Sequence, residues 1–437
     1  MSRSFQLARR STSLLRPATT PICTRSGLLT PRLFTTTTLR RADEDIYSPG
    51  PLLILTEEEE MMRESVAKFA KDVIEPKVRE MDENEKMDPA IIKGLYGMCI
   101  MLLMGIETST EQGGAGASFT SAIVAVEELA RVDPSVSVLC DVHNTLVNTV
   151  LRKYGSQELQ EKYLPVLANE KLGSFALSEP VSGSDAFALK TSAKKNADGD
   201  YIINGSKMWI TNGGEAELFI VFANLDPSKG YKGITAFLAE KEWGVKIAKK
   251  EIKLGIRASS TAAIHFDDLF IPKANLIGKE GEGYKIAIGI LNEGRIGIAA
   301  QMTGLAMGAM DKALDYCFND RKQFGQYIGD FQGMQHQFAD AAVEIEAARL
   351  LTYNASRLKE ANKPFVKEAA MAKLYASQVA QRVSGKAIEW MGGVGFTREY
   401  PFEKYWRDSM IGSIYEGSSN IQKTTIAKQL EKQFRNK

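Results

Sequence analysis

The sequence predicts a mostly helical α+β protein, with a helical block, a small β domain and a second helical block. Apolar residues recur at helical spacing from about residue 54 to 171. Short β-branched and aromatic runs then alternate with turns over 172–281. The helical period returns at 282 and holds to 437. A chain of 437 residues is long for one domain and suggests two or three. No repeat of about 20–50 residues is visible, which sets aside a solenoid.

The first block follows an unusual leader. Residues 1–42 contain eight arginines, no lysine and no acid, with many Ser and Thr. Arg9, Arg10, Arg16, Arg25 and Arg32 interrupt the apolar residues, so the composition is that of a mitochondrial presequence and not of a secretory signal. Cleavage is expected between Phe34 and Ala42. Taking those eight arginines from the 55 basic residues leaves 47 against 54 acids, a body charge of −7. That mild acidity disfavours nucleic acid as a partner.

In the helical block (54–171), Thr56 and Glu59 form a capping-box signature, and Met62, Val66, Phe69, Val73 and Ile74 follow at helical spacing. The run 120–155 is mostly apolar, as for helices buried inside a bundle. Residues 94–107 are too short and too glycine-containing to cross a bilayer, so stable membrane insertion is not expected. The β block (172–281) reads as mainly antiparallel, with Asp198–Gly199, Asn204–Gly205 and Asn212–Gly213 at turns. In the last block (282–437), residues 334–361 have the length and stripe of a bundle helix.

Several chemistries drop out. Cys23, Cys99, Cys140 and Cys317 show no paired spacing, and His143, His265 and His336 match no zinc motif, so no metal site is expected. The nucleophile elbow, the P-loop and a complete G-x-G-x-x-G are all absent. What remains are loops of small residues. "ALSEPVSGSD" (176–185) is either a surface turn or a set of donors for a polar ligand. Trp209 in "SKMWITNGG" is either a core residue or a platform for a flat ring. Glu416 in "IYEGSSNIQ", taken alone, reads as a solvated loop glutamate.

Together these segments are more telling. "ALSEPVSGSD", "KMWITNG", "LNEGRIGIAAQMTGLA", "RKQFGQYIGDFQGMQHQFAD", "WMGGVGFTREYPFEKYWRD" and "IYEGSSNIQ" stand in the order typical of acyl-CoA dehydrogenases. The body from about residue 54 resembles that family, most closely its short/branched-chain members, which "MDENEKMD", "NTLVNTVLRKYG" and "GYKGITAF" also resemble. The resemblance implies the family fold: an N-terminal α domain (54–171), a central antiparallel β domain (172–281) and a C-terminal domain (282–437) built on a four-helix bundle.

It also implies FAD as cofactor and α,β-dehydrogenation of an acyl-CoA thioester. Glu416 falls at the catalytic base of the short- and medium-chain members, with Gly417 beside it against the substrate. Isovaleryl members carry the base immediately before the arginine matched by Arg295, where this chain has Gly294. Glu293 lies one residue further back, about 100° around the helix, and should point elsewhere. Asn292, Glu293, Gly294 and Arg295 are implied to border the thioester arm, and Tyr231, Tyr284 and Ser184 to touch substrate.

For the flavin, Phe175, Ala176, Leu177, Ser178 and Glu179 lead into Pro180, Val181, Ser182, Gly183 and Ser184, a loop that runs along FAD in the family. Many members have glycine where this chain has Val181. Trp209, Ile210 and Thr211 match the segment facing the ring, with Thr211 near N5, to which the β-hydride passes. Ser418, Ser419 and Asn420 lie against the cofactor. Arg321, Gln332 and Glu389, Trp390, Met391, Gly392 and Gly393 match positions that reach a neighbouring subunit's FAD, so a homotetramer built as a dimer of dimers is implied.

The expected protein is thus a mitochondrial-matrix dehydrogenase of 2-methylbutyryl-, isobutyryl- or similar acyl-CoA. It would serve isoleucine and valine breakdown and β-oxidation, and pass electrons to electron-transferring flavoprotein. Two alternatives stand beside it: an acyl-CoA oxidase, and a flavin-bearing assembly factor for a respiratory complex.

Overall fold

The computed structural model describes residues 52–97 and 102–435. The expected presequence, Cys23 and Cys99 lie outside the described residues.

Helix α1 (Glu57–Phe69) opens the fold with the predicted capping box: Thr56 Oγ1 accepts from Glu59 N–H, and the Glu59 carboxylate accepts from Thr56 N–H. Met62, Val66, Phe69 and Ile74 are buried, whereas Val73 faces solvent. After α2 (Val78–Glu83) and α3 (Pro89–Gly97) comes α4 (Phe119–Val132), almost wholly buried because α1 covers it on one side and the C-terminal helices on another. Helix α5 (Pro134–Asp141) runs through a π-helical turn into α6 (Thr149–Tyr154), and α7 (Gln157–Asn169) leads to the sheet. His143 is a buried strut here. Its Nδ1 accepts from Gly173 N–H, so Nε2 carries the proton donated to Leu167 O, and burial holds its pKa down at about 4.

The central sheet has eight strands, β1 (Gly173–Ala176), β2 (Ser192–Lys195), β3 (Tyr201–Thr211), β4 (Leu218–Asn224), β5 (Ile234–Glu240), β6 (Lys246–Lys250), β7 (Thr261–Ile271) and β8 (Leu276–Ile277). Their order is β6-β7-β3-β2-β4-β5-β8, with β1 on β4. Most pairs are antiparallel, but β1 and β2 run parallel to β4, so the sheet is mixed. Strands β4 and β5 are buried on both faces. Leu218, Ile220 and Phe222 meet the helical core, while Phe219, Val221 and Ala223 close the β core.

One expected turn is not a turn. Asn204–Gly205 lies inside β3, at an irregularity in its pairing with β7. Gly205 is required there by close approach, since a Cβ would stand 2.7 Å from Thr191 Cα. Asp198–Gly199 does turn between β2 and β3, and Asn212–Gly213 ends β3.

The last block is built on α8 (Gly283–Asp315), α9 (Gln332–Glu360) and α10 (Val366–Met391), with α11 (Phe402–Ser409) and α12 (Ser419–Arg435) packed on α10. Cys140 and Cys317 are buried free thiols. Among the described residues no helix is long and apolar enough to cross a membrane, and no cluster of potential metal ligands occurs.

Candidate active site

Glu416 sits in the loop between α11 and α12, on left-handed backbone (φ 49°), followed by Gly417 at φ 86°. For a glutamate that conformation costs about 1–2 kcal/mol, so the surroundings must impose it. They do so from the interior. Gln422 Nε2, on the first turn of α12, donates to Glu416 O (3.0 Å) and Gly417 O (2.8 Å). Lys373 Nζ, about two turns into α10, donates to Gly417 O at 2.7 Å. The Glu416 N–H has no protein acceptor among the described residues.

The carboxylate is turned inward. Oε2 is enclosed, and no described group donates a hydrogen bond to it. Opposite stands Gly294 on α8: a Cβ there would lie 2.9 Å from Glu416 Oε2 and 2.9 Å from Leu146 Cδ2. The missing side chain is what lets the carboxylate approach the helix. Burial pushes the Glu416 pKa up to about 7, against the attraction of Arg295 and Lys373, which favour the carboxylate.

Other ionisable groups enclose this point. Arg295 Nη1 donates to Asn292 Oδ1 (2.8 Å), its Nε is buried without a partner, and burial lowers its pKa. Burial brings Lys373 down to about 7. On α5, burial pushes Asp141 up to about 8, opposed by the Thr145 hydroxyl 3.0 Å from Oδ1 and reinforced by Glu416. Tyr415 donates its hydroxyl to Gln301. Motif reading found neither Lys373 nor Asp141. The available signal was a lone charge in a stretch patterned for burial, "AAMAKLYA" and "SVLCDVH".

Glu293 is not brought to this pocket. It is buried in ion pairs with Lys153 and, at 3.6 Å, Lys359, which also holds Glu107 at 3.0 Å. Its carboxylate is already engaged by these lysines. Gly294, and not Glu293, is the α8 residue that stands against Glu416.

On the β domain, Trp209 is 56 % exposed with φ 64°, at a β-bulge between Lys207 and Ile210. Ile210 is buried; Thr211 is half-buried, and its hydroxyl has no partner among the described residues. The 178–184 loop lies beside this strand, with Met208 N–H donating to Ser178 O (2.9 Å), and it exposes Pro180, Val181, Gly183 and Ser184. An open indole, a free hydroxyl and an exposed loop fit a flat ring with polar edges. Glu179 itself points inward. Its carboxylate takes Lys207 Nζ (2.8 Å), Lys190 N–H (2.6 Å) and Thr191 N–H (3.0 Å), so its side chain secures the loop instead of meeting a ligand. Ser182 is likewise buried, its hydroxyl on Asp185 O. Phe175, Ala176 and Leu177 are core residues.

Tyr231 and Tyr284 meet edge to face at 4.8 Å, and Phe187, absent from the sequence reading, joins Tyr284 at 6.4 Å. Tyr284 lies ten residues before Gly294 on α8, roughly 15 Å along the axis. Arg321, Gln332, Glu389, Gly392 and Gly393 are exposed at the opposite end of the bundle, while Trp390 and Met391 are buried, Trp390 against Phe338. From Gly294 to the end of α8 is roughly 30 Å, so this group and Glu416 are widely separated within one chain. A cleft of about 340 Å³ between α9 and α10 borders Glu389.

Three family models cover the chain: acyl-CoA dehydrogenase N-terminal domain (residues 56–171), middle domain (174–269) and C-terminal domain (281–431). The chain is 54 % identical over 386 residues to the short/branched chain specific acyl-CoA dehydrogenase, mitochondrial, of Rattus norvegicus, covering 88 % of each. It is also 54 % identical to the probable short/branched chain specific acyl-CoA dehydrogenase of Dictyostelium discoideum, over 88 % of this chain and 92 % of that one. Among solved structures, butyryl-CoA dehydrogenase from Megasphaera elsdenii matches with a TM-score of 0.84 at 39 % identity, over 86 % of this chain and 99 % of that one.

Proposed function

The chain belongs to the acyl-CoA dehydrogenase family, and from that premise we propose that it is a mitochondrial, FAD-dependent dehydrogenase of short 2-methyl-branched acyl-CoA thioesters, with Glu416 as its base. The observation that carries this reading is Glu416 Oε2, enclosed and without a hydrogen-bond donor, on a carboxyl whose pKa burial raises to about 7.

An α-proton beside a thioester is a weak acid, so a base needs help at both ends of the transfer. Glu416 supplies the accepting oxygen, and its raised pKa increases its affinity for the proton. Its unused backbone N–H is free to donate to the thioester oxygen as negative charge develops there. The clamps on Glu416 O and Gly417 O hold acceptor and donor in one geometry. FAD, when bound, supplies the acceptor for the hydride leaving Cβ. Trp209, Thr211 and the exposed part of the 178–184 loop would hold its ring, with Ser418, Ser419 and Asn420 following the base. Tyr231 and Tyr284 suit the substrate's far arm, spaced along α8 from Arg295.

We further assign Arg321, Gln332 and the 389–393 segment to the cofactor of a neighbouring chain. The separation along α8 supports this assignment, as does the cleft beside Glu389. It makes a homotetramer part of cofactor binding. Electron-transferring flavoprotein in the matrix is the proposed electron acceptor.

The test is Glu416→Gln. The variant is expected to keep FAD while flavin bleaching by 2-methylbutyryl-CoA falls at least a thousandfold. Full bleaching would overturn the assignment of the base. Comparing butyryl-, isobutyryl-, 2-methylbutyryl- and isovaleryl-CoA checks the substrate class.

A further inference from the structure

Among the described residues, the buried lysines have ion-pair partners, with one exception. Lys207 pairs with Glu179 at 2.8 Å, and Lys404 with Asp133 at 2.9 Å and Asp408 at 2.6 Å. Lys373 has no relative exposure, forms no ion pair among the described residues, and makes a single hydrogen bond, to Gly417 O. An unpaired buried cation costs several kcal/mol, and one charged hydrogen bond to a carbonyl does not offset it. An apolar side chain would fill the same space at less cost. The lysine therefore needs an explanation outside packing.

The explanation lies in what Gly417 O belongs to. That carbonyl closes the left-handed turn that carries Glu416, and Lys373 reaches it from α10 while Gln422 reaches it from α12. We propose that Lys373 is a positioning residue for the base: its bond to Gly417 O sets the turn, and its ammonium favours the ionised form of Glu416. This deepens the proposed function and rests on it. The charged and titratable groups facing this point are Arg295 from α8, Asp141 from α5, Lys373 from α10, and Tyr415 and Glu416 from the loop. Arg295 lacks a bond to the turn, so it acts by charge alone; Lys373 acts by charge and by geometry.

The test compares Lys373→Met, Lys373→Gln and Lys373→Arg in the FAD-loaded enzyme. Glutamine can still donate to Gly417 O but carries no charge, and arginine keeps the charge. Two quantities are read: the rate of flavin bleaching by 2-methylbutyryl-CoA against pH, and the titration of the Glu416 carboxyl by infrared difference against Glu416→Gln, which needs no substrate. Lys373→Met is expected to bind FAD and thioester within about threefold of wild type. Its bleaching at pH 7 should fall at least tenfold, and its Glu416 titration should move to higher pH. Lys373→Gln should show the same upward titration with a smaller loss of rate, and Lys373→Arg should restore the titration. An unmoved titration in Lys373→Met overturns the inference. If that variant does not fold, equal titrations in Lys373→Gln and Lys373→Arg overturn it. A wild-type enzyme that 2-methylbutyryl-CoA cannot bleach would instead overturn the proposed function, while the infrared titration still decides whether Lys373 acts on Glu416.

Discussion

Among the described residues Glu293 has two lysines within ion-pair reach and Glu416 has none, although Glu416 packs against the residue that follows Glu293 on α8. Around Glu293 the fold gathers Lys153 from α6 and Lys359 from α9, and links them onward to Glu107 and Arg152. Around Glu416 it places cations near enough to be felt but not bonded, and leaves one oxygen enclosed and bare. The first arrangement neutralises the carboxylate with two cations that tie helices together, although its Oε2, like that of Glu416, accepts no hydrogen bond. The second leaves the carboxylate with no paired cation among the described residues. Burial alone therefore does not separate the two acids; the difference is whether cations pair with the carboxylate.

The largest expected effect tests that contrast directly. Glu416→Gln should cut bleaching by 2-methylbutyryl-CoA at least a thousandfold, and Glu293→Gln should leave the rate per bound flavin within about threefold. Equal losses in the two would erase the distinction. Stability should move the other way. Glu293→Ala leaves a small cavity and takes one of two acidic partners from Lys359, while half-exposed Lys153 turns to solvent, so a loss of about 1–3 kcal/mol is expected, read as a lower denaturant midpoint.

Glu416 should show the converse, and its sign depends on pH. Its pKa is raised from 4.5 to about 7, so its protonated form is the one the fold favours. That contribution is fully present below about pH 4.5 and is lost as pH rises through 7. At pH 8 the ionised group opposes folding by about 3 kcal/mol, since each pKa unit is about 1.4 kcal/mol. Glu416→Gln should therefore be more stable than wild type at pH 8 and equal to it near pH 4.5. A variant less stable at pH 8 would show that the carboxylate is better accommodated than its bare oxygen implies.

The two regions also differ in how much of them could be read in advance. That Glu293 points away follows from one helical step between residues 293 and 294, a local fact. What it points at does not: Lys153 and Lys359 are 140 residues before and 66 after it in the chain. Glu416 was recognisable only through ordered motifs, since its own surroundings read as a solvated loop. Lys373 and Asp141 escaped because a buried charge becomes visible only when the partner helices are in place. The strands fared better, because period-2 patterning is local. Asn204–Gly205 misled for the same reason: its glycine answers the Thr191 backbone across the sheet and not a turn.

The smallest expected effect isolates the contact between the two regions. Gly294→Ala adds one methyl where Glu416 Oε2 and Leu146 Cδ2 would each lie 2.9 Å away. Both are the free ends of flexible side chains, so the fold can absorb the methyl by moving them, and alanine on α8 gains up to about 1 kcal/mol of helix propensity over glycine. Stability should therefore stay level or rise slightly. The carboxylate, however, must leave its place, and if it is the proposed base, displacing it by a fraction of an ångström is expected to slow bleaching about tenfold. FAD content should not change, because no residue assigned to the ring is touched. A slower enzyme with unchanged stability would show that Gly294 is kept for the room it leaves Glu416, at the expense of the helix that carries it. An unchanged rate would mean that the carboxylate reaches the substrate from elsewhere.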